Sequence, residues 1–413
     1  MNKKFASILF AIAVCTQGIM ATVASADGQR ETIKAGYIQS NNLWLALEEV
    51  QKPLTKQEYI RSPQWSRDGQ WMTFLRNENR PEVWTYEEAN GGMRKIGEGS
   101  NVKWAPNNNR LAILSGRVLN VAAANRPGSL EKVMDNAGEF SWLPDGSGLL
   151  VSTLAELMPD GKWSPVELYV VKPDGTTGTW SKQLLYRLPG QSDDFFAVQT
   201  SPFKWSPDGS WIAFIAKPTA SLSADANTLV LLSSDGQHFI KAGQMLAYDN
   251  WFQWAPASEK LAFVEGTGRE ATSNKKLTVI EDIPSLQKRV YTPGGYADND
   301  FTWNGEDAII VSRRKDAPWS SDEEDRSLPH LAKVDVRTGQ SKPLTRGIEG
   351  YGDYAPVLLK DGILAFIQAG QGSAQVKLIK SGSKRQLTWI PKLMVAEDYY
   401  GRADWSKVIG YGK

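Results

Sequence analysis

The chain is poor in the residues that most often build metal sites and covalent crosslinks. Its 413 residues include one cysteine, Cys15, and two histidines, His238 and His330. One cysteine cannot form an internal disulfide, and two histidines far apart in strand-like surroundings support neither a histidine metal site nor a catalytic triad. We therefore expect no cofactor and no metal, and a fold that is stabilised by its apolar core.

Long apolar runs and an excess of charge of one sign are absent as well. The sequence has 47 Lys and Arg against 46 Asp and Glu, which gives a net charge of +1. This balance gives no electrostatic reason to expect nucleic acid or an anionic membrane as a partner. The apolar run from Phe5 to Val14 is too short to span a bilayer, and no later run is longer. We expect no transmembrane segment.

The first 26 residues have the pattern of a secretory signal peptide. A basic start at Lys3-Lys4 and an apolar run precede Ala24-Ser25-Ala26, which is typical of a cleavage site. Cleavage after Ala26 would remove Cys15 and change the net charge from +1 to about −1. A lipoprotein acylated at Cys15 is disfavoured, because Val14 stands where a small residue is expected. The sequence thus predicts a secreted, cell-envelope or periplasmic protein.

What the chain does contain is a repeated phrase. Its clearest copy, FKWSPDGSWIAF, runs from Phe203 to Phe214 and predicts two strands joined by a tight turn. Ser206-Pro207-Asp208-Gly209 fits a type I turn, with Pro second and Gly fourth. Further copies begin near Trp65, Trp104, Trp142, Trp254, Trp303 and Tyr354, and a shortened copy begins at Ala403.

Each copy is followed by two more strand-like runs, so the repeating unit has four strands, a to d. Such a unit repeated around an axis is a β-propeller blade. The N-terminal piece has strands b to d without the Trp motif, and the C-terminal piece has strand a. Joined, they would close the ring. We predict an all-β propeller of eight four-stranded blades, with seven as the alternative, in one domain spanning residues 27–413.

The Trp-Ser-Pro-Asp-Gly phrase with its following Ala-Phe resembles the TolB-like propeller repeat, a relative of the WD-type repeat. The resemblance covers nearly all of residues 27–413. It implies a propeller that stands alone, without the α/β domain of TolB and without the Gly-x-Ser-x-Gly elbow of dipeptidyl-peptidase-type enzymes. Because this scaffold serves binding proteins, lyases and substrate-gating domains, the resemblance does not name a ligand.

Strand polarity predicts where a site would lie. In an antiparallel blade the a–b and c–d turns share one face, and the b–c and d–a loops share the other. The uniform Pro-Asp-Gly turns belong to the first, which we call the plain face. The long irregular segments belong to the second, the elaborated face. Function usually resides in elaborated loops on a rigid scaffold.

The d–a loops repeat a carboxylate beside an aromatic side chain. Such pairs suit sugar rings and cationic peptides. The alternative is structural, since an aromatic before strand a can pack between blades and a loop Asp can form an Asx turn. The candidate ligand-binding residues are Asp194, Phe195, Asp249, Trp251, Asp298, Asp300, Asp353, Tyr354, Asp398, Tyr399, Tyr400 and Arg402.

We therefore expect a monomeric, noncatalytic scaffold that binds a glycan, a peptide or an envelope protein. The alternative is a polysaccharide lyase or hydrolase that uses residues such as Asp353, Tyr400 and Arg402. Scarcity of histidine counts against it. The charged stretch of Arg313-Arg314-Lys315 and residues 322–325 is interpreted as a solvated loop, since it lacks the spacing of a calcium-binding EF-hand.

Overall fold

The computed structural model describes residues 32–412, apart from residues 177, 220–226 and 323. The predicted signal peptide lies outside the described residues, so it stays a prediction. From Ile33 onward the chain belongs to one compact unit. Within the described ranges, no helix has the length and apolar character needed to cross a membrane.

Eight antiparallel sheets of the blade type follow one another along the chain, and the predicted eight-bladed propeller is confirmed. Blade 4 differs slightly because its inner strand is split into two short pieces. The strands of blades 1 to 4 are Ile60–Trp65, Trp71–Arg76, Glu82–Glu87, Met93–Glu98; Asn101–Trp104, Arg110–Ser115, Val118–Ala123, Glu131–Met134; Ala137–Trp142, Leu149–Thr153, Glu167–Pro173, Trp180–Arg187; and Gln199–Thr200 with Lys204–Trp205, Trp211–Lys217, Asn227–Ser233, Phe239–Met245.

The remaining blades follow the same order, and blade 8 takes its inner strand from the C-terminus. The strands of blades 5 to 8 are Phe252–Trp254, Leu261–Glu265, Lys276–Asp282, Gln287–Val290; Tyr296–Trp303, Ala308–Lys315, His330–Asp335, Ser341–Pro343; Gly352–Leu358, Leu364–Gly370, Ser373–Ile379, Gln386–Leu393; and Ile409–Gly412, Lys34–Gln39, Asn42–Leu47, Val50–Pro53. Three short 3-10 helices, Asp249–Trp251, Lys360–Gly362 and Trp405–Lys407, and a small hairpin of Asp398–Tyr399 with Arg402–Ala403 lie between strands.

The ring closes as predicted. Ile409–Gly412 pairs antiparallel with Lys34–Gln39, with Ile409 opposite Tyr37. The two ends of the chain therefore form one sheet, in which Lys34–Gln39 is paired on both sides.

The Pro-Asp-Gly turn of blade 4 has the predicted type I hydrogen bond. Gly209 N donates to Ser206 O at 2.9 Å, and Gly209 has a φ of 76°. Ser206 Oγ accepts from Trp211 N at 2.9 Å and donates to Asp208 Oδ1 at 2.5 Å. The hydrogen bond from Ser206 lowers the pKa of Asp208. These contacts make Asp208 a structural element of the plain face.

The repeated Trp side chains connect adjacent blades through one recurring hydrogen bond. In four of the six copies that have the Trp, the indole N–H donates to the backbone carbonyl of the residue just before the Trp of the preceding blade. The pairs are Trp104 with Gln64 at 3.1 Å, Trp142 with Lys103 at 3.0 Å, Trp254 with Lys204 at 2.9 Å and Trp303 with Gln253 at 3.1 Å. Within the described residues, Trp65 Nε1 and Trp205 Nε1 are buried without a partner. The repeat thus encodes blade-to-blade packing as well as blade shape.

Two inner strands begin earlier than the sequence suggested. Residues 296–300 and 352–354 were expected in loops, but they belong to strand a of blades 6 and 7. The pairing register shifts between Asp298 and Phe301, and again between Tyr354 and Val357. These β-bulges keep the acidic residues within paired strands, because a bulge absorbs the extra residues without ending the ladder.

Candidate functional site

A pocket of about 770 Å³ opens on the elaborated face over blades 6 to 8. Its walls come from the b–c loop of blade 6, the b–c turn of blade 7 and residues 394–408, which link blade 7 to blade 8. We call it the site pocket. It is lined by Arg314, Ser321, Asp322, Glu324, Arg326, Leu328, Gly350, Tyr354, Ala369, Gly370, Gln371, Gly372, Ser373, Val395, Ala396, Asp398, Gly401, Ala403 and Trp405.

Residues 394–408 fold back over the elaborated face as a hairpin. Its turn is formed by Tyr400 and Gly401, with φ values of 53° and 82°. Positive φ at both central residues is the geometry that suits a two-residue hairpin turn. Ala271 N donates to Tyr400 O at 2.8 Å, and Tyr248 Oη donates to Ala403 O at 2.8 Å. The hairpin is thereby fixed to the b–c loop of blade 5 and to the loop that precedes the inner strand of that blade.

Aromatic side chains form one side of the site pocket. The rings of Tyr354 and Trp405 lie 5.9 Å apart, centroid to centroid, and both side chains line the pocket. Beside them Tyr400 makes an edge contact with Trp319 at 5.2 Å. Trp405 is almost fully buried, with 4% of its surface exposed. These rings give the pocket a rigid apolar wall.

Charged side chains form the rim. Exposed Asp322 and Glu324 lie in the b–c loop of blade 6. Arg326 Nη1 lies 3.6 Å from Asp398 Oδ2, and Arg326 Nε donates to Ser320 O at 2.8 Å. Arg326 therefore holds its own loop against the hairpin, while the two acidic side chains face solvent.

A smaller cavity of about 210 Å³ lies among the inner strands of blades 5 to 8. Asp300, at the bulge of blade 6, lines it and accepts hydrogen bonds from Trp251 Nε1 at 2.9 Å and Ala355 N at 3.2 Å. Burial raises the pKa of Asp300. Trp405 lines this cavity as well as the site pocket, so its side chain stands between the two spaces.

The structure brings some of the predicted residues together. Tyr354 and Asp398 line the site pocket, and Tyr399, Tyr400 and Arg402 belong to the adjoining hairpin. Tyr399 is the most exposed aromatic of this group at 45%. The second group, Trp251 with Asp300, lies at the smaller cavity.

Two other predicted residues, Asp298 and Asp353, are buried and hydrogen-bonded within the fold. Asp298 is fully buried and accepts from Arg313 Nε and Nη2 at 2.6 and 2.7 Å. Asp353 is 3% exposed and accepts from Gln368 Nε2 at 3.1 Å, and burial raises its pKa. The expectation that both lie in exposed loops was wrong, because the inner strands extend through them.

The three remaining candidates lie around blade 4, away from the lining of the site pocket. Phe195 is buried and makes an edge contact with Phe239 at 5.5 Å, which is a core contact. Asp194 is exposed. The backbone carbonyl of Asp249 accepts a hydrogen bond from the Lys204 ammonium group.

Sequence reasoning missed Arg314, Arg326 and Trp405 as pocket residues. Arg313 and Arg314 were assigned to a solvated loop, but they end strand b of blade 6 and are 4% and 3% exposed. A usable signal was present, because the two arginines directly continue the apolar strand AIIVS. Among the described residues, no group of three or more His, Cys, Asp or Glu side chains is arranged to hold a metal ion.

No family model and no curated protein matches this chain. Similar solved structures include a puromycin hydrolase S511A mutant complexed with PGG, at 11% identity and a TM-score of 0.52, with 83% of this chain and 55% of that chain covered. They also include TolB from Acinetobacter baumannii, at 12% identity and a TM-score of 0.40, with 92% of this chain and 66% of that chain covered. The chain thus spans a little over half of the first protein and just under two thirds of the second.

At such identities the likeness shows the fold alone. The molecule is a β-propeller. Its eight blades, six of them with the repeated Trp on the inner strand, confirm the β-propeller that the repeats predicted.

Proposed function

We propose that this protein is a secreted or cell-envelope propeller that acts as a noncatalytic binding scaffold, with its ligand held in the site pocket. One observation carries the proposal. Loops from blade 6, blade 7 and the blade 7–8 connection build a pocket of about 770 Å³ on the elaborated face. This volume is within the range of about 300–1,000 Å³ that is typical of ligand pockets.

The lining supports a polar ligand with an apolar side. The half-buried ring of Tyr354 and the edge of Trp405 offer apolar contact, while Asp398 and the exposed rim carboxylates can accept hydrogen bonds from hydroxyl or ammonium groups. A glycan fragment or a short peptide segment has both features. The mixed charge of the lining also agrees with a partner that is neither nucleic acid nor an anionic surface.

The residues that would serve a polysaccharide-active enzyme are differently placed. Asp353 is buried within blade 7 and bonded to Gln368, whereas Tyr400 and Arg402 belong to the hairpin. A general acid or base must reach the proton that it transfers. The burial of Asp353 supports binding without catalysis.

An array of glycans, peptidoglycan fragments and peptides, probed with the purified protein, tests the proposal. Ser373 is exposed and lines the site pocket, so Ser373→Trp is expected to fill the space and abolish the array signal. Lys384→Glu is the matched control, because Lys384 is exposed in the c–d turn of the same blade on the plain face. Signals that survive Ser373→Trp, or that both variants lose equally, would contradict a ligand site in this pocket.

A further inference from the structure

Two adjacent arginines in blade 6 are equally buried but differ in their partners. Arg313 forms two bonds to the Asp298 carboxylate and further bonds to Ser341 Oγ at 3.1 Å and Tyr291 O at 3.1 Å. Its charge is neutralised within the fold. Arg313 thus has a purely structural function.

Arg314 has no such pairing, because the carboxylates of Asp398 and Asp300 attract its charge only from beyond ion-pair distance. Its Nη1 donates to Ser327 O at 3.2 Å, and its ring contact is a long one, 6.0 Å from the guanidinium carbon to the Tyr354 centroid. Among the described residues, its Nε is buried without a hydrogen-bond partner and no carboxylate oxygen lies within ion-pair distance. A guanidinium that is 3% exposed and unpaired is costly to keep, and such charges are ordinarily matched by an anion.

The position of Arg314 shows from which side an anion could reach it. Arg314 lines the site pocket, and Gly401 lies across from it in the hairpin. A methyl group added at Gly401 would come within 3.7 Å of Arg314 Nη1. The Thr272 side chain is nearer to the same point, at 2.6 Å, so the lack of a side chain at Gly401 lets the hairpin turn pack close to both residues.

We infer that Arg314 is the anion-binding group of the site pocket and that it takes the free carboxylate of a short peptide; this inference rests on the proposed function. A guanidinium matches a carboxylate in shape and donates two parallel N–H bonds to it. The inference assigns a ligand-binding role to a residue whose neighbour Arg313 has a structural one.

The acidic rim favours a peptide over an acidic polysaccharide. Asp322 and Glu324 are exposed at the rim, and Asp398 also lines the pocket. A chain of uronic acids would bring repeated negative charges against these carboxylates. A peptide carries one terminal carboxylate for Arg314 and an ammonium group, at its terminus or on a side chain, that the rim attracts.

Three forms of one tripeptide test the inference by isothermal titration calorimetry: Ala-Ala-Ala, its C-terminal amide and its N-acetyl form. We expect the free acid to bind at least tenfold more tightly than the amide, which is the loss expected for one charge-assisted pair. The N-acetyl form is expected to bind more weakly than the free acid by a smaller factor, because the rim carboxylates are exposed. Equal affinities of acid and amide, or no binding of the free acid, would overturn the inference.

Arg314→Gln is expected to remove the difference between acid and amide. Lys315→Gln is the matched control, since Lys315 is the next residue, carries the same charge and is exposed. The melting temperature of ligand-free Arg314→Gln separates the two possible roles, because removing an unpaired buried charge is expected to leave it unchanged or raise it. A fall of several degrees would show a structural role. The comparison of acid with amide uses the wild-type protein, so it decides the question even if this variant does not fold.

Failure of this inference and failure of the proposed function give different results. If Ser373→Trp abolishes binding of an array ligand but the tripeptide acid and its amide bind equally, the pocket binds ligands and the assignment to Arg314 is wrong. If Ser373→Trp affects no ligand, the proposed function itself is wrong.

Discussion

The indole Nε1 of Trp251 donates a hydrogen bond to Oδ1 of Asp300 at 2.9 Å, and Oδ2 of the same carboxylate accepts from the backbone N of Ala355 at 3.2 Å. Trp251 precedes the inner strand of blade 5, Asp300 lies on that of blade 6 and Ala355 on that of blade 7. One carboxylate therefore joins three consecutive blades near the smaller cavity. Burial raises the pKa of Asp300, so we expect the stability of this junction to depend on pH.

Asp300→Asn is expected to alter the pH dependence of stability. Because the folded-state pKa of Asp300 is raised, the folded protein binds more protons than the unfolded chain above the usual carboxyl pKa of about 3.9. Wild-type stability then falls as pH rises through that window, and the Asn variant lacks this fall. The difference in unfolding free energy, wild type minus variant, is expected to decrease from about pH 4 upward in urea titrations.

Asp208→Asn is the control of opposite sign. The hydrogen bond from Ser206 lowers the pKa of Asp208, so its contribution is present above the usual carboxyl pKa and is lost as pH falls. The two variants should therefore give pH profiles that slope in opposite directions. Parallel profiles would show that the Asp300 carboxyl is not ionising in a buried setting.

Substitution of two repeated tryptophans by phenylalanine should separate the hydrogen bond from the packing. Trp254 Nε1 donates to Lys204 O at 2.9 Å, whereas Trp205 Nε1 has no partner among the described residues. We expect Trp254→Phe to cost about 1 kcal/mol more than Trp205→Phe, the typical net value of one hydrogen bond. Chemical denaturation of both variants measures the difference. Equal costs would mean that the recurring indole bond does not stabilise the ring.

The sequence predicted the parts of this fold that depend on local patterns. The Pro-Asp-Gly turn, the four-strand repeat and the pairing of Ile409–Gly412 with Lys34–Gln39 all follow from residues close together in each copy or from a missing strand. The number of blades followed from counting the copies of the repeated phrase. These features needed no knowledge of how one blade contacts the next.

The site was less predictable because it depends on contacts between distant segments. Residues such as Asp298 and Asp353 look like loop residues in the sequence, yet β-bulges keep them in paired inner strands. Arg313 pairs with Asp298 on the neighbouring strand, whereas Arg314 lines the site pocket, and a strand pattern alone gives both residues the same description. Only Tyr354 and the hairpin residues around Tyr400 were both predicted and found at or beside the pocket.

Lys204 is expected to make stability rise at alkaline pH. Burial lowers its pKa to about 8, although nearby Asp249 opposes this shift. Between about 8 and the usual lysine value of about 10.4, the unfolded chain binds more protons than the folded protein, so the unfolding free energy increases with pH. Lys204→Met should lack the increase, and Lys384→Met, at an exposed position, should retain it. Denaturant titrations at about pH 7.5 and 10 make the comparison, and an equal increase in both variants would contradict the buried environment of Lys204.

Gly410→Ala is expected to weaken the closure of the ring. Gly410 lies in the C-terminal strand of blade 8, opposite Gly36, and a methyl group added there would meet the backbone oxygen of Pro63 in blade 1 at 2.0 Å. Backbone cannot move aside as a side chain does, so the strand must shift away from blade 1, at a cost of about 1–3 kcal/mol. Gly190→Ala is the matched control, because a methyl group there meets nothing within 4 Å and Gly190 is exposed. Differential scanning calorimetry and size-exclusion chromatography should show a lower melting temperature and self-association for the first variant alone, since an opened blade exposes a strand edge. If Gly410→Ala melts with the control and stays monomeric, the contact between blade 8 and blade 1 does not hold the ring closed.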